Sequence, residues 1–278
     1  MWTAKDRELH REDGRRYPSD LSDEEWALTS GFFANCRPLS ATIRVIVEAC
    51  LHLVVEGCRW RALPRDFPPR QTVRWWWDRF RREGVWEAAV HALTPVARTA
   101  AGRNAEPRTG LVDTQGVRCG PQKGERGWDG GKRLNGRKRH VLTCSAGFLI
   151  AVLVVTAACL HDKHGVDPLL VRPRAAGWRL RRLVGDGGYA GEDVAGDAAR
   201  HGATFAIAPR PRERAGFVPI PLRWRVEQAL GVLTIRNRRL VRDWEQLPEV
   251  SETVMLVANP PSPPHPCRRS VTLKSNRL

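Results

Sequence analysis

From residue 141 to residue 160 the chain reads VLTCSAGFLIAVLVVTAACL, a stretch without a charged side chain between the basic GRKRH before it and the HDKH after it. An apolar run of this length is compatible with a helix that crosses a bilayer. This one is broken at its middle by Ser145-Ala146-Gly147, and it is rich in Val, Ile and Thr, whose branched side chains suit a pleated sheet. It therefore predicts two buried strands joined by a hairpin, and the chain around them must supply the rest of a sheet.

The segments on either side say what that sheet is packed with. Leu21-Ser22-Asp23-Glu24-Glu25-Trp26 has Ser22 as an N-cap, Glu25 three residues later to complete a capping box, and Leu21 against Trp26 as a hydrophobic staple. A second helix is predicted to open near Ser40, with Ile43, Ile46, Val47, Cys50 and Val54 at helical spacing and Gly57 as its stop. Val73, Trp76, Trp77 and Phe80 form the apolar stripe of a third helix, so Trp76 and Trp77 belong to a core. Trp86, Val90, Leu93 and Ala97 mark a fourth. From about residue 109 strands alternate with helices: strands at 110–117, 139–145, 148–156, 182–185 and 204–208, helices near 164–176, 191–201 and 222–236. That order predicts a mixed α/β sheet with helices on its faces. The organisation expected is a helical region over 1–102, an α/β domain over 103–258, and a Pro-rich basic tail over 259–278, expected to be disordered.

Lys and Arg number 46 against 30 Asp and Glu, a formal net charge of +16, and 40 of the cations are Arg. Guanidinium pairs two-pronged with phosphate, so a polyanion, nucleic acid before an acidic membrane, is the partner such a chain attracts. The seven cysteines are odd in number and lack a C-x-x-C pair, and the charged start MWTAKDRELHREDGRR is no secretory signal. A cytoplasmic protein is expected. Cys159-Leu160-His161-Asp162-Lys163-His164 lacks the second ligand pair of a zinc site and reads as a surface loop.

Three carboxylates stand where carboxylates are costly. Asp113 interrupts the apolar strand Gly110-Leu111-Val112-Asp113-Thr114, Asp186 ends a strand before Gly187-Gly188-Tyr189, and Glu227 lies on a helix among Val226, Ala229 and Leu230. The crossover between their strands lets Asp186 pass beside Asp113 at about the 4.8 Å strand spacing. Two such carboxylates repel, and Mg²⁺, which takes one or two carboxylates and fills its shell with water and phosphate, relieves the repulsion. Turn residues, and an ion pair of Glu227 with Arg223, are the alternative reading.

The runs Tyr17-Pro18-Ser19-Asp20-Leu21-Ser22-Asp23-Glu24-Glu25-Trp26 and Gly57-Cys58-Arg59-Trp60-Arg61-Ala62-Leu63-Pro64 resemble the N-terminal region of bacterial insertion-sequence transposases of the DDE type. Val112-Asp113-Thr114-Gln115, Gly136-Arg137-Lys138-Arg139-His140, Gly185-Asp186-Gly187-Gly188-Tyr189-Ala190-Gly191 and Arg223-Trp224-Arg225-Val226-Glu227 resemble that family's catalytic core, in its order. The chain departs from the pattern at Gly116, Ile220 and Thr234, and after Asn259, where the family's Arg/Leu-rich closing helix is absent, as in a frameshifted or truncated copy.

The resemblance implies an RNase H-like fold behind an all-α DNA-binding region. It makes Asp113, Asp186 and Glu227 the triad that holds two Mg²⁺ or Mn²⁺ ions for cleavage and joining of double-stranded DNA at terminal inverted repeats. Two ends must be paired, which implies a homodimer in the synaptic complex, in a cytoplasmic, nucleoid-associated setting with no membrane. Arg137, Lys138, Arg139, Arg223, Arg225, Arg236, Arg238 and Arg239 are the residues expected to contact that DNA, with Arg74, Arg81 and Arg82 as major-groove readers. A catalytically inactive remnant that only binds DNA is the alternative function.

Overall fold

The computed structural model describes residues 15–38, 41–155, 157–208 and 223–259. The loop around Arg210, Arg212 and Arg214, Ile220, and the tail beyond Asn259 lie outside these residues, as does Ser40.

The first helix of the described residues is α1 (Asp23–Thr29), where Ser22 Oγ accepts from Glu25 N and the Glu25 carboxylate accepts from Ser22 N, the full capping box. Helix α2 (Ile43–Glu56) opens later than the spacing predicts, because Thr42 caps it by accepting from Val45 N, and it ends at left-handed Gly57. Helix α3 (Arg70–Arg82) buries the stripe Val73, Trp76, Trp77 and Phe80, and α4 (Val85–Ala100) buries Trp86, Val90, Leu93 and Ala97.

The sheet follows: β1 (Thr109–Arg118), β2 (Gly127–Asp129), β3 (Leu134–Cys144), β4 (Leu149–Val155), α5 (Val166–Ala175), β5 (Arg182–Gly185), α6 (Glu192–Arg200) and β6 (Thr204–Ile207). After it come α7 (Arg223–Arg236) and α8 (Pro248–Ala258). The strand order is β2-β3-β1-β5-β6, with β4 also on β3; β1–β3 and β3–β4 are antiparallel, β1–β5 and β5–β6 parallel. The uncharged run is thus the strand pair β3–β4 turning at 145–148, and among the described residues no helix is long and apolar enough to cross a membrane.

Alternating residues of each strand face opposite layers. Val112, Leu142 and Leu183 face a layer made with α5 and α6 (Val166, Leu169, Leu170, Val194). Leu111, Val141, Val152 and Val184 share one core with Ile46, Trp77, Val90, Val226 and Val254, so the N-terminal helices and the sheet are packed into a single apolar mass. The boundary at 102/103 therefore separates two patterns of secondary structure and not two cores.

Four of the basic residues expected to meet DNA are instead internal braces. Arg137 is 1% exposed; its guanidinium pairs with Asp243 at 3.2 Å and donates to the carbonyls of Glu125, Glu245 and Gln246. Arg139, equally buried, donates to Leu240 O, and burial holds its guanidinium down to about 10. Arg239 pairs with Glu245 at 2.7 Å and donates to Cys58 O at 3.0 Å, while Lys138 pairs with Asp162 at 2.6 Å. The cause is distance in sequence: the carboxylates that draw Arg137 and Lys138 inward stand far from the GRKRH run they neutralise.

Removing one member of a buried ion pair strands the other charge. Asp243→Ala is expected to cost about 3–5 kcal/mol of unfolding free energy through unpaired Arg137, read by urea denaturation followed by circular dichroism.

Candidate functional site

Strands β1 and β5 pair in parallel through Thr109↔Arg182, Gly110↔Leu183 and Leu111↔Val184. Continuing that register two residues brings Asp113 level with Asp186, about one strand spacing away. Alternation then fixes their direction. Leu111 and Val184 both point into the core that contains α7, so Asp113 and Asp186, two residues further along, face that same side. Both are half-buried.

Each aspartate is also fixed locally. Asp113 Oδ1 accepts from Thr114 N at 2.8 Å, and Asp186 caps a short 3-10 turn (Gly187–Tyr189) by accepting from Gly188 N at 2.8 Å. Their neighbours are tied together across the sheet. Tyr189 Oη lies 2.6 Å from Thr114 Oγ1, which lies 3.0 Å from His140 Nδ1. A phenol donating to Thr114, and Thr114 donating to Nδ1, satisfies all three groups. Burial, and after it the charges of Asp162, Asp113 and Asp186, push the Tyr189 phenol well above its ordinary value, which keeps the proton on it. Burial drives the His140 imidazole down to about 4, so at neutral pH it is an uncharged acceptor. Gly165 leaves room for that ring, since any Cβ there would collide with it.

Helix α7 covers the face onto which the aspartates point. Its start abuts the β3–β4 turn, where Gly147 stands against the Arg225 carbonyl, and further along Gln115 Nε2 donates to Thr234 Oγ1 at 3.4 Å. The helix thus runs beside β1 in the same direction. Glu227 lies seven residues before Thr234 on the same side of the helix, about 10 Å back, which brings it near the level of Asp113 along the strand. Its side chain is exposed, and among the described residues no three His, Cys, Asp or Glu side chains close into a metal-holding group. Two carboxylates side by side suit one hard divalent ion with water and phosphate completing its shell. By donor type, Asp113 and Asp186 would fit Mg²⁺ or Mn²⁺.

Of the other basic residues, Arg236 is exposed and Arg238 is exposed with a loose pairing to Glu56 at 3.6 Å. Arg225 is half-buried with its guanidinium 4.3 Å from the Trp224 ring centre. The Arg223 side chain lies outside the described residues. In α3, Arg74 and Arg81 are both drawn to Asp78, and Arg82 donates to the Asp78 carbonyl. The Thr114–His140–Tyr189 chain was missed by the sequence reading; the polar Thr114 and His140 amid buried strands were the available signal.

Residues 104–258 match the family model described as Transposase DDE domain, and residues 21–90 match the one described as "Putative transposase of IS4/5 family". No curated protein matches the chain.

The depressed His140 gives a pH signature. The unfolded chain takes up a proton near pH 6.5 and the folded one only near 4, so folding stability falls as pH drops through that window and is flat above it. The contribution is about 3 kcal/mol; His140→Gln is expected to remove that part of the acid-side slope in urea titrations at pH 4 to 7.

Proposed function

Because the chain belongs to the transposase family defined by the DDE domain, we propose that Asp113, Asp186 and Glu227 catalyse metal-dependent cleavage and strand transfer of DNA at the ends of an insertion sequence. The observation that supports this reading is the parallel register of β1 and β5, which pairs Thr109–Leu111 with Arg182–Val184 and which, continued two residues, would bring Asp113 level with Asp186. The family's RNase H-like architecture accords with the β4-β3-β1-β5-β6 order.

Asp113 and Asp186 would hold the divalent ion, and Glu227 would complete its protein ligands from α7. When bound, such an ion supplies acidity to the attacking oxygen and offsets charge on the leaving one during in-line displacement at phosphorus. The protein's own work is positional. Backbone amides of Thr114 and Gly188 hold the carboxylates by one oxygen each. The Tyr189–Thr114–His140 chain stops β1, β3 and the turn after β5 from shifting against one another. Neutral His140 adds no positive charge that would compete with the ion. Exposed Arg236 and Arg238, at the far end of α7, would meet phosphates of the duplex. A protomer on each element end, pairing as a homodimer in the cytoplasm near the nucleoid, is the assembly this reaction requires.

Cleavage of a labelled inverted-repeat end in Mg²⁺ tests the reading. Asp113→Ala and Asp186→Ala are each expected to lower the rate at least about 1000-fold, as loss of a group that stabilises transition-state charge does, while duplex binding without metal persists. Binding with no cutting by the wild type would leave only the DNA-binding remnant. Duplex affinity is expected to fall steeply between low and physiological salt, and a flat response would contradict phosphate contact.

A further inference from the structure

Beyond Asp113, strand β1 continues into a feature that the catalytic reading does not use. Arg118 pairs with Gly136, and the chain then returns as the β2–β3 ribbon, Gly127–Asp129 against Leu134–Gly136, closed by the loop at 130–133. This ribbon leaves the sheet at the end where β5 stops before Asp186, on the catalytic side of the strand ends. Arg118, Lys132 and Arg133 on it, and Lys123 and Arg126 in the loop before it, are exposed, against exposed Glu125 and the partly exposed Asp129, whose carboxylate accepts from Lys132 N at 2.9 Å. Among the described residues no acid forms a salt bridge with any of these five cations, unlike Arg137 and Arg239. Trp128, 58% exposed, stands on the ribbon among them, more exposed than any other described tryptophan.

The tip carries a second, independent sign. Arg133, at φ 49°, is the one non-glycine residue with a left-handed backbone among the described residues. In a short ribbon loop that position favours glycine, yet the two glycines stand at 130 and 131, where φ is not positive, and arginine occupies the strained place. The Arg133 side chain is exposed, and its carbonyl is held by Arg118 Nη2 at 3.3 Å. Lys132 lies back over Gly116 of β1, so cations extend from the tip toward Asp113. About six residues of strand separate Asp113 from the level of Trp128, roughly 20 Å, or six base pairs of duplex.

We infer that this β-ribbon grips duplex DNA about half a helical turn from the phosphate being cut, with Lys132 and Arg133 on backbone phosphates and the Trp128 indole wedged against the bases in the groove. Ribbons of two strands fit a DNA groove, and apolar or aromatic wedges contact base steps there. The inference rests on the transposase reading for the position of the cut, and on the ribbon alone for binding.

The test measures binding of a fluorescein-labelled duplex of random sequence, without metal, across a salt series, beside Mg²⁺-dependent cleavage. Lys132→Ala/Arg133→Ala is expected to reduce the slope of log affinity against log salt by about two. Trp128→Ala is expected to weaken binding about tenfold, with Trp128→Phe restoring most of it. Arg133→Gly separates a DNA contact from a structural role: it relaxes the backbone, so the melting temperature should hold or rise while affinity falls. Wild-type affinity and salt slope in all these variants would overturn the ribbon, whatever cleavage does. Loss of binding in them, with cutting unaffected by Asp113→Ala and Asp186→Ala, would keep the ribbon and overturn the catalytic reading.

Discussion

The interaction on which the rest of this structure depends is the buried set of ion pairs that binds residues 237–246 to β3. Arg137 with Asp243, and Arg239 with Glu245, are almost wholly withdrawn from water, and each guanidinium spends its remaining donors on main-chain carbonyls. Ions in such a place are tolerable only when every partner is present, so the network is satisfied as a unit or not at all. Its geometric effect is to pin the end of α7 and the start of α8 to β3. Through Arg239 and the Cys58 carbonyl, and through Gly57, whose missing side chain lets the Arg238–Arg239 backbone approach, it also seats the N-terminal helices. The helix that carries Glu227 is thus fixed at its far end, while its beginning follows residues outside the described set.

That arrangement explains which parts of the molecule a reader of the sequence can find. The capping box at Ser22, the apolar stripe of α3 and the strand β5 are set by side chains within a few residues of each other, and the pattern of those residues is sufficient. The parallel pairing of the strands that lead to Asp113 and Asp186 was legible for a related reason: a crossover helix returns the chain in the same direction. The family resemblance added Glu227 and the order of the motifs, and the matching family models support that identity. The short strand β2 and the closing helix α8 were not anticipated. β2 is three residues held by register alone, and α8 begins with Leu247-Pro248, where the N1 proline and the spacing of Val250, Val254 and Val257 were the usable signal.

Arg137, Lys138 and Arg139 were read outward because a basic run between strands resembles a phosphate-binding surface. The sheet contradicts this by geometry: β3 is flanked by β1 on one side and by β2 and β4 on the other, and side chains from its middle enter packed layers on both faces. A cation can stay there only with an acid delivered from elsewhere, and the acids come from 106 residues away for Arg137 and 24 for Lys138. No window along the sequence contains both halves of such a pair.

In a chain with a net charge of +16, the density of arginine is therefore a poor guide to where a polyanion binds, and the placement of carboxylates is a better one. A cation already paired in a dry site gains little from phosphate, because leaving its partner costs as much as the new contact returns. A cation in water with no acid beside it loses little and releases condensed counterions from DNA. By that criterion GRKRH belongs to the protein's interior, and the exposed cations without a paired acid include Arg236 at the end of α7 and those of the β2–β3 ribbon. Both lie on elements that also carry or extend a member of the acidic trio, α7 with Glu227 and the ribbon as the continuation of β1 beyond Asp113. The surface that would attract a negatively charged duplex and the carboxylates that would repel it thus belong to the same two elements, so in the proposed reaction the duplex would be held by charge at its flanks while the carboxylates would keep an ion between themselves and its backbone.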